Sequence, residues 1–489
     1  MPPLSTLTET TNSRGLTICG TAVAATAFLY LLNAFVQSGY INALELVAGA
    51  FWIGGCFLMS RWLNALGILV VSFTSSLVWG FWVDSQPVSD FLNFHNQAAR
   101  VAEGGSLWSS LGSKSPPTVV YYAAFHALLG SDYAPNYFAG AIAWTAGALL
   151  IYRAILPFVT SGQARMVCAC TATYPSFVVF SVVPSSEGVV FLLVGASALL
   201  ASKAARRSDG RRWAYAGLAG FAIGVLYLTR MNNAVLLLPC TMALLWCLPR
   251  PPDGGSAKTT WRESWKLRTG PPGVLLATFA AVIGLFGSLS TLETGEFRVG
   301  PSRFGELLLL FGTNTETNGG YNLDDAALAG YLSDDPVTKA AAPAKALDMA
   351  FDRVATDPWR FVTFAATTKV QRLWARERSL NHWSLGGRER AENVNYYVRG
   401  SAILAADGAY RMVLLLFVVG LVAELRRPTA YVALGGIALL YSLPHIFIEV
   451  QPRYHLPMVP FLIVGAVMTF HRLLPIARKF GDRIYGPST

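Results

Sequence analysis

Apolar residues run through this chain in blocks of roughly 17–22, each long enough to cross a bilayer as a helix. The blocks place about twelve spans, near 16–37, 43–60, 63–83, 135–156, 166–184, 187–203, 213–229, 233–249, 273–292, 409–425, 429–448 and 455–474. The run "TVVYYAAFHALLG" at 118–130 is too short for a comfortable span. Counted as one, it would turn Arg153 and Arg165 outward, so it reads as a juxtamembrane or re-entrant helix. Polar residues dominate only one long segment, 293–408. It carries turn formers in "TNTETNGGYNLDD", a helix near 344–356 with Leu347, Ala350, Phe351 and Val354 on one face, and a helix start at Asp357-Pro358. The stretch "WRFVTFAATTKVQRLW" then reads as an amphipathic helix on the outer membrane surface. The expected fold class is an all-α polytopic membrane protein. Its parts are a transmembrane module over 1–292 with an outer loop at 84–134, an extracytoplasmic loop domain over 293–408, and C-terminal spans with a tail over 409–489.

Basic residues orient the spans. Loop 203–212 holds Lys203, Arg206, Arg207, Arg211 and Arg212; loop 250–272 holds Arg250, Lys258, Arg262, Lys266 and Arg268. Arg426 and Arg427 mark another short loop, and Arg472, Arg478, Lys479 and Arg483 mark the tail. The positive-inside rule puts all four on the cytoplasmic side. Both termini are then inside. Asp84, Asp90, Glu187, Arg230, the segment 293–408 and "EVQPRY" at 449–454 face outward.

Composition narrows the classes further. Of 489 residues, 53% are hydrophobic and only 13% charged, about half the charged share of soluble domains. The net charge of +10 follows from topology, and no nucleic-acid motif accompanies it. Walker and Rossmann glycine patterns are absent. The six cysteines lie inside apolar runs, where packing is their expected role. The first apolar run reads as a retained helix rather than a signal peptide.

Candidate chemistry begins at "FWVDSQPVSDF", residues 81–91. A span ends in aromatics suited to the interface. Pro87 breaks it, and Ser89 is placed to cap a new helix whose face would be Val88, Phe91, Leu92, His95, Ala99 and Ala102. Asp90 falls in its first turn, where the helix dipole favours the anion. An ionised carboxylate at the membrane surface suits a general base for a lipid-borne substrate; the blander reading of Asp84 and Asp90 is a pair of solvated caps. Glu187 in "VPSSEGVVF" and Arg230 in "LYLTRMNNAV" stand at other outer helix mouths. "EVQPRYHLPMVP" adds Glu449, Arg453, Tyr454 and His455. An outward arginine there suits a phosphate, unless it simply pairs with Glu449. Lys369 and Arg372 fit either lipid headgroups or substrate. Acids at one mouth and arginines at others point to a lipid-phosphate substrate.

These residues resemble the GT-C superfamily of membrane glycosyltransferases, on the bacterial branch of the protein O-mannosyltransferases and aminoarabinose transferases (glycosyltransferase family 39-like). The resemblance rests on "SDFLNFHNQAARVAEGG", "KSPPTVVYYAAFHALLG", "PSSEG" with "YLTRMNN", and "QPRYHLPMVP". It implies a GT-C-type fold in a bacterial inner membrane. It also implies inverting transfer of a sugar, on the outer face, from a polyprenyl-phosphate-linked donor to a glycolipid, polysaccharide or protein hydroxyl. By position Asp90 matches the catalytic carboxylate, with Asp84 as rival. Arg453 matches the donor-phosphate arginine and Lys114 the donor-contacting lysine, with Arg230 and Lys369 as weaker counterparts. Glu187, Glu449, Tyr454, His455 and His95 are the candidate substrate-lining side chains. The adjacent Asp-Glu pair of the O-mannosyltransferases is missing, since Phe91 follows Asp90, and this leaves donor and acceptor open. No cofactor and no obligatory metal are expected. The segment 293–408, with "GTNTETNGGYN", is expected to shape acceptor binding.

Two other classes compete. A transporter or flippase of a lipid-linked sugar would carry charges near mid-membrane and broken helices in matched halves. This chain concentrates its charges at outer mouths. A surface-polysaccharide polymerase or ligase would use arginine and histidine of a large outer loop, such as His382 and Arg388 in "NHWSLGGRER".

Overall fold

A computed structural model describes residues 42–106, 115–246, 261–301, 305–374, 376–377, 383–385, 396–423 and 430–485, with residues 26, 27, 29 and 32 before them. Nearly all of the expected span 16–37 lies outside the described residues. So do Lys114, Arg250, Lys258, His382, Arg388, Arg426 and Arg427.

Every regular element among the described residues is helical. In chain order the helices are α1 (Ala43–Trp62), α2 (Ala65–Val83), α3 (Asp90–Ala102), α4 (Pro116–Leu129), α5 (Ala134–Ile155), α6 (Ser161–Ala172), α7 (Pro175–Phe180), α8 (Ser186–Arg206), α9 (Arg211–Thr229), α10 (Leu237–Trp246) and α11 (Trp261–Thr294). After them come α12 (Gly305–Thr313), α13 (Leu323–Ala329), α14 (Pro336–Thr356), α15 (Pro358–Phe364), α16 (Val370–Trp374), α17 (Tyr396–Ala423), α18 (Ala430–Ser442) and α19 (Val459–Tyr485).

Seven helices among the described residues are long and apolar enough to cross a membrane: α1, α2, α5, α8, Arg268–Thr294 within α11, α17, and Pro452–Ala477 entering α19. The chain is a multi-pass membrane protein. Four further expected spans take other forms. The 213–229 block is a 19-residue helix, α9. The 166–184 block is split, because Pro175 starts α7 after an irregular Thr173-Tyr174 step. The 233–249 block opens with a 3-10 turn, Met231–Leu236, before the short α10. The 429–448 block ends α18 at Ser442 and turns into 3-10 geometry at Pro444–Ile446. Hydropathy cannot see these breaks, since the residues stay apolar through them. Irregular backbone at membrane depth survives only where protein covers it, and Tyr174, Ser176, Asn233 and His445 are indeed buried.

Small residues let the helices approach closely, as in other membrane bundles. A side chain at Gly49 of α1 would meet the Gly408 carbonyl of α17, and one at Gly140 of α5 would meet the Ser181 carbonyl. Glu45 and Arg411 pair across the α1–α17 contact at 2.9 Å, both nearly buried. The central core stacks Trp144 on Phe177 at 4.2 Å and 18°. The 118–130 run forms α4, which packs its Thr118, Val119, Tyr122 and His126 inward beside α3. Between α11 and α17, Leu307, Leu310, Phe311, Ala326, Ala329 and Ala346 make a small core of their own. Asp357 caps α15 by accepting from the Arg360 amide at 2.9 Å. The expected surface helix 359–374 is not a uniform helix on a surface. It is α15, a π turn at Ala365–Lys369 and α16, with Phe361, Phe364, Lys369, Leu373 and Trp374 buried and Trp359 exposed.

Candidate active site

The site forms where one end of α2, α3, α8, α9 and the turn before α19 converge. The connection from α2 to α3 is strained. Asp84 (φ 46°) and Ser89 (φ 51°) both sit in the left-handed region on either side of Pro87. Such conformations cost about 1–3 kcal/mol each and gather at functional sites. Ser89 occupies the cap position of α3 but its side chain makes no capping bond, because its backbone is left-handed rather than extended. The buried face of α3 is Phe91, Phe94, His95 and Ala98. It is rotated from the expected stripe because α4 and α5 cover Ala98. The rotation leaves Asp90 partly exposed.

Asp90 faces Arg453. Their closest atoms, Oδ2 and an Nη, are 4.0 Å apart, with side chains 33% and 7% exposed. The guanidinium of Arg453 lies over the rings of Phe91 (5.2 Å), Trp383 (5.6 Å) and Tyr454 (5.8 Å). On its other side, Nε is 3.6 Å from Oε1 of Glu187, too long for a hydrogen bond, and that buried Nε has no hydrogen-bond partner. Glu187, in the first turn of α8, also takes an Nη of Arg230 at 2.5 Å. Arg230 donates through Nε to Ser186 Oγ at 3.2 Å and lies 4.8 Å over Tyr454. The result is a row of alternating charge: Asp90, Arg453, Glu187, Arg230. Each guanidinium lies over aromatic rings, a contact arginine makes more often than lysine.

Other candidate residues take different places. Asp84 accepts from the Tyr137 hydroxyl at 3.0 Å, so it is bonded at the end of α2 and away from the arginine row. Glu449 does not pair with Arg453; its carboxylate takes Gln451 Nε2 at 2.6 Å and the Tyr454 hydroxyl at 3.4 Å. His95 lies 3.1 Å from Asn136 Nδ2, and His126 lies 3.3 Å from Asn136 Oδ1. Burial holds both histidines below their ordinary value. His455 is sealed between Trp374 and Tyr410, stacked at 5.5 and 4.7 Å. Lys369 is 2% exposed and points at three backbone carbonyls.

Several site residues had no signal in the sequence. Trp383 reaches Arg453 from a distant loop. Asn232 bridges to His445 at 3.1 Å, and His445 stacks on Tyr454 at 5.5 Å. Only the short spacing of Asn232 from Arg230 hinted at this. Among the described residues no three His, Cys, Asp or Glu side chains gather as a cation site would require. Beside Asp90, the exposed face of α3 lines a groove of about 490 Å³ with Asn93, Asn96, Gln97, Arg100 and Glu103.

The arrangement combines a half-exposed carboxylate with two buried guanidiniums, one carrying an unused N–H. The family profile described as dolichyl-phosphate-mannose-protein mannosyltransferase matches residues 114–251, which include Glu187 and Arg230. The chain resembles the GT-C membrane glycosyltransferases. Solved structures with a similar fold include the oligosaccharyltransferase AglB from Archaeoglobus fulgidus, in complex with an inhibitory peptide and a dolichol-phosphate. It has 13% identity and a TM-score of 0.47, over 88% of this chain and 53% of that one. The apo form of the Archaeoglobus fulgidus oligosaccharyltransferase gives 13%, 0.46, 87% and 52%. ArnT from Cupriavidus metallidurans in the apo state gives 15%, 0.36, 85% and 80%. The chain spans about half the length of the two oligosaccharyltransferase chains. No curated protein matches it. The GT-C-like profile covers α4 to α10 and stops short of Arg453.

Proposed function

We propose that this protein is an inverting glycosyltransferase that moves a sugar from a polyprenyl-phosphate donor to an acceptor hydroxyl on the outer face of the membrane. One observation carries the reading: a half-exposed Asp90 carboxylate 4.0 Å from an arginine that is itself locked into a second carboxylate–arginine pair. Arg453, and Arg230 behind it, would bind the donor phosphate. The AglB complex, which holds a dolichol-phosphate, makes a lipid phosphate a reasonable ligand class to test first.

In the proposed step the acceptor oxygen forms a bond to the anomeric carbon. The bond from that carbon to the phosphate oxygen breaks on the opposite face. The acceptor proton passes to Asp90, and the electron pair of the broken bond leaves with the polyprenyl phosphate, whose charge Arg453 offsets. Asp90 is taken as the base because it stands beside Arg453, whereas Asp84 accepts from Tyr137 at the end of α2.

The test supplies radiolabelled polyprenyl-phosphate sugars and a membrane extract to the purified protein. Label should move to acceptor in wild type and in Asp84→Asn, and fail to move in Asp90→Asn. A protein that binds such lipids and consumes none would refute the reading and favour transport.

A further inference from the structure

The turn between α18 and α19 carries Glu449, Arg453 and Tyr454, yet none of it is α-helical. It consists of two 3-10 turns, Pro444–Ile446 and Pro452–Met458, joined by the irregular residues 447–451. Short 3-10 segments have poor hydrogen-bond geometry and hold their shape weakly. Something outside the turn must fix where Arg453 stands.

That support comes from residues 365–377. Trp374 Nε1 donates to Ser442 Oγ at 3.1 Å, at the end of α18. Lys369 Nζ donates to the Ile446 and Ile448 carbonyls at 2.8 and 2.9 Å, and to Gly312 at 2.7 Å. Beyond Arg453, His455 Nδ1 meets the Leu373 carbonyl at 2.6 Å, and Nε2 lies 3.2 Å from Glu377 Oε1. Glu377 is anchored in turn by the hydroxyls of Tyr174 (2.7 Å) and Ser176. One short stretch therefore grips the turn before and after its functional residues. The π turn at Ala365–Lys369 sets the register, aiming Lys369 along the buried face with Leu373 and Trp374. π turns inside helices are rare and often mark function.

The loop 312–320 closes the clamp from the other side. The amides of Glu449 and Val450 donate to the Leu308 and Gly319 carbonyls, both at 2.9 Å. Gly312 lies so close to Phe447 that a side chain there would strike its carbonyl. Gly319 is left-handed (φ 69°) and sits over the Lys369 stem.

We propose that residues 365–377, with Lys369 at their centre, are a splint that positions Arg453 for the donor phosphate, and that Lys369 is a positioning residue and not a phosphate ligand. Protonated, Lys369 has three N–H donors, and here three carbonyls take them; the exchange comparison is therefore made below pH 7. The functional consequence rests on the glycosyltransferase reading; the mechanical part does not.

Hydrogen exchange of the detergent-purified protein tests it, read at the amides of Glu449 and Val450, alongside binding of a polyprenyl phosphate. In Lys369→Met, exchange there should rise at least about tenfold, the weight of one hydrogen bond from a charged donor, and lipid affinity should fall with it. Trp374→Phe removes the indole donor together with the five-membered ring that packs there, and should also speed exchange at these amides. Arg453→Gln should lose lipid affinity with exchange unchanged. Unchanged exchange in both splint variants would overturn the proposal. So would lost affinity in Lys369→Met without faster exchange, which would make the lysine a direct ligand. If wild type binds no polyprenyl phosphate, the glycosyltransferase reading fails while the exchange comparison still decides the splint.

Discussion

Glu187 and Arg453 come from separate spans 266 positions apart in the chain, and their side chains meet at 3.6 Å with almost no solvent between them. Arg230 closes on the same carboxylate oxygen at 2.5 Å. One acid thus joins two arginines that would otherwise repel each other in a buried place. Breaking a buried pair by removing one partner typically costs about 3–5 kcal/mol. Glu187→Gln should therefore lower the thermal midpoint clearly. A phosphate ligand would restore the lost negative charge, so a polyprenyl phosphate should raise the midpoint more in Glu187→Gln than in wild type. A smaller rise in the variant would mean the phosphate does not settle between these arginines.

Asp90 and Asp84 lie six residues apart and separate cleanly by contact. Asp90→Asn should reduce transfer by about 10²–10⁴, the usual contribution of a general base, with donor affinity little changed. Asp84→Asn should cost less than about tenfold, since the asparagine Oδ1 can still accept from Tyr137. Tyr137→Phe removes that single hydrogen bond and should also cost less than about tenfold. Initial rates of label transfer check all three, and equal losses at Asp84 and Asp90 would mean that Asp84 also serves the reaction.

Much of this was legible in the chain. Block length gave the bundle, and the positive-inside rule singled out the arginine in "QPRYHLP", which lies between Asp90 and Glu187. Asp90 could be read from its place after Pro87. Three things could not be read. The break at Pro175 hides in a run that stays apolar, and its reason, Tyr174 and Ser176 reaching Glu377, lies about 200 positions away. Trp383 over Arg453 is likewise a contact between distant segments. The sequence pattern puts Lys369 on a surface helix, and its burial against three backbone carbonyls comes from segments 57 to 79 positions away.

The burial of Lys369 has a pH signature. Desolvation lowers its value to about 7, against a smaller upward pull from Glu449. In the unfolded chain a lysine keeps its ordinary value near 10.5. Between about pH 7 and 10.5 the unfolded state therefore binds more protons, and folded stability rises with pH across that window. Below about 7 both states are protonated and the cost of burying the charge is felt in full. The midpoint of wild type minus that of Lys369→Met should increase from pH 6.5 to 9. A flat or falling difference would mean the three carbonyls fully offset the loss of water.

The polar face of α3 offers a test of how an acceptor reaches Asp90. Asp90, Asn93, Gln97 and Arg100 recur at helical spacing, so they form one stripe, about 15 Å long at 1.5 Å per residue. The buried Gln97 Oε1 has no hydrogen-bond partner, an uncommon state that a ligand hydroxyl would relieve. Carboxamides that both donate and accept suit the hydroxyls of a sugar. If the acceptor lies along this groove, Asn93→Ala and Gln97→Ala should each raise its KM by about 3–30-fold, the weight of one or two hydrogen bonds. The KM for the polyprenyl-phosphate donor should stay within about twofold, because neither side chain touches the arginine row. Steady-state kinetics with each substrate varied in turn separates the two. A rise in donor KM alone would put the donor sugar, and not the acceptor, against α3.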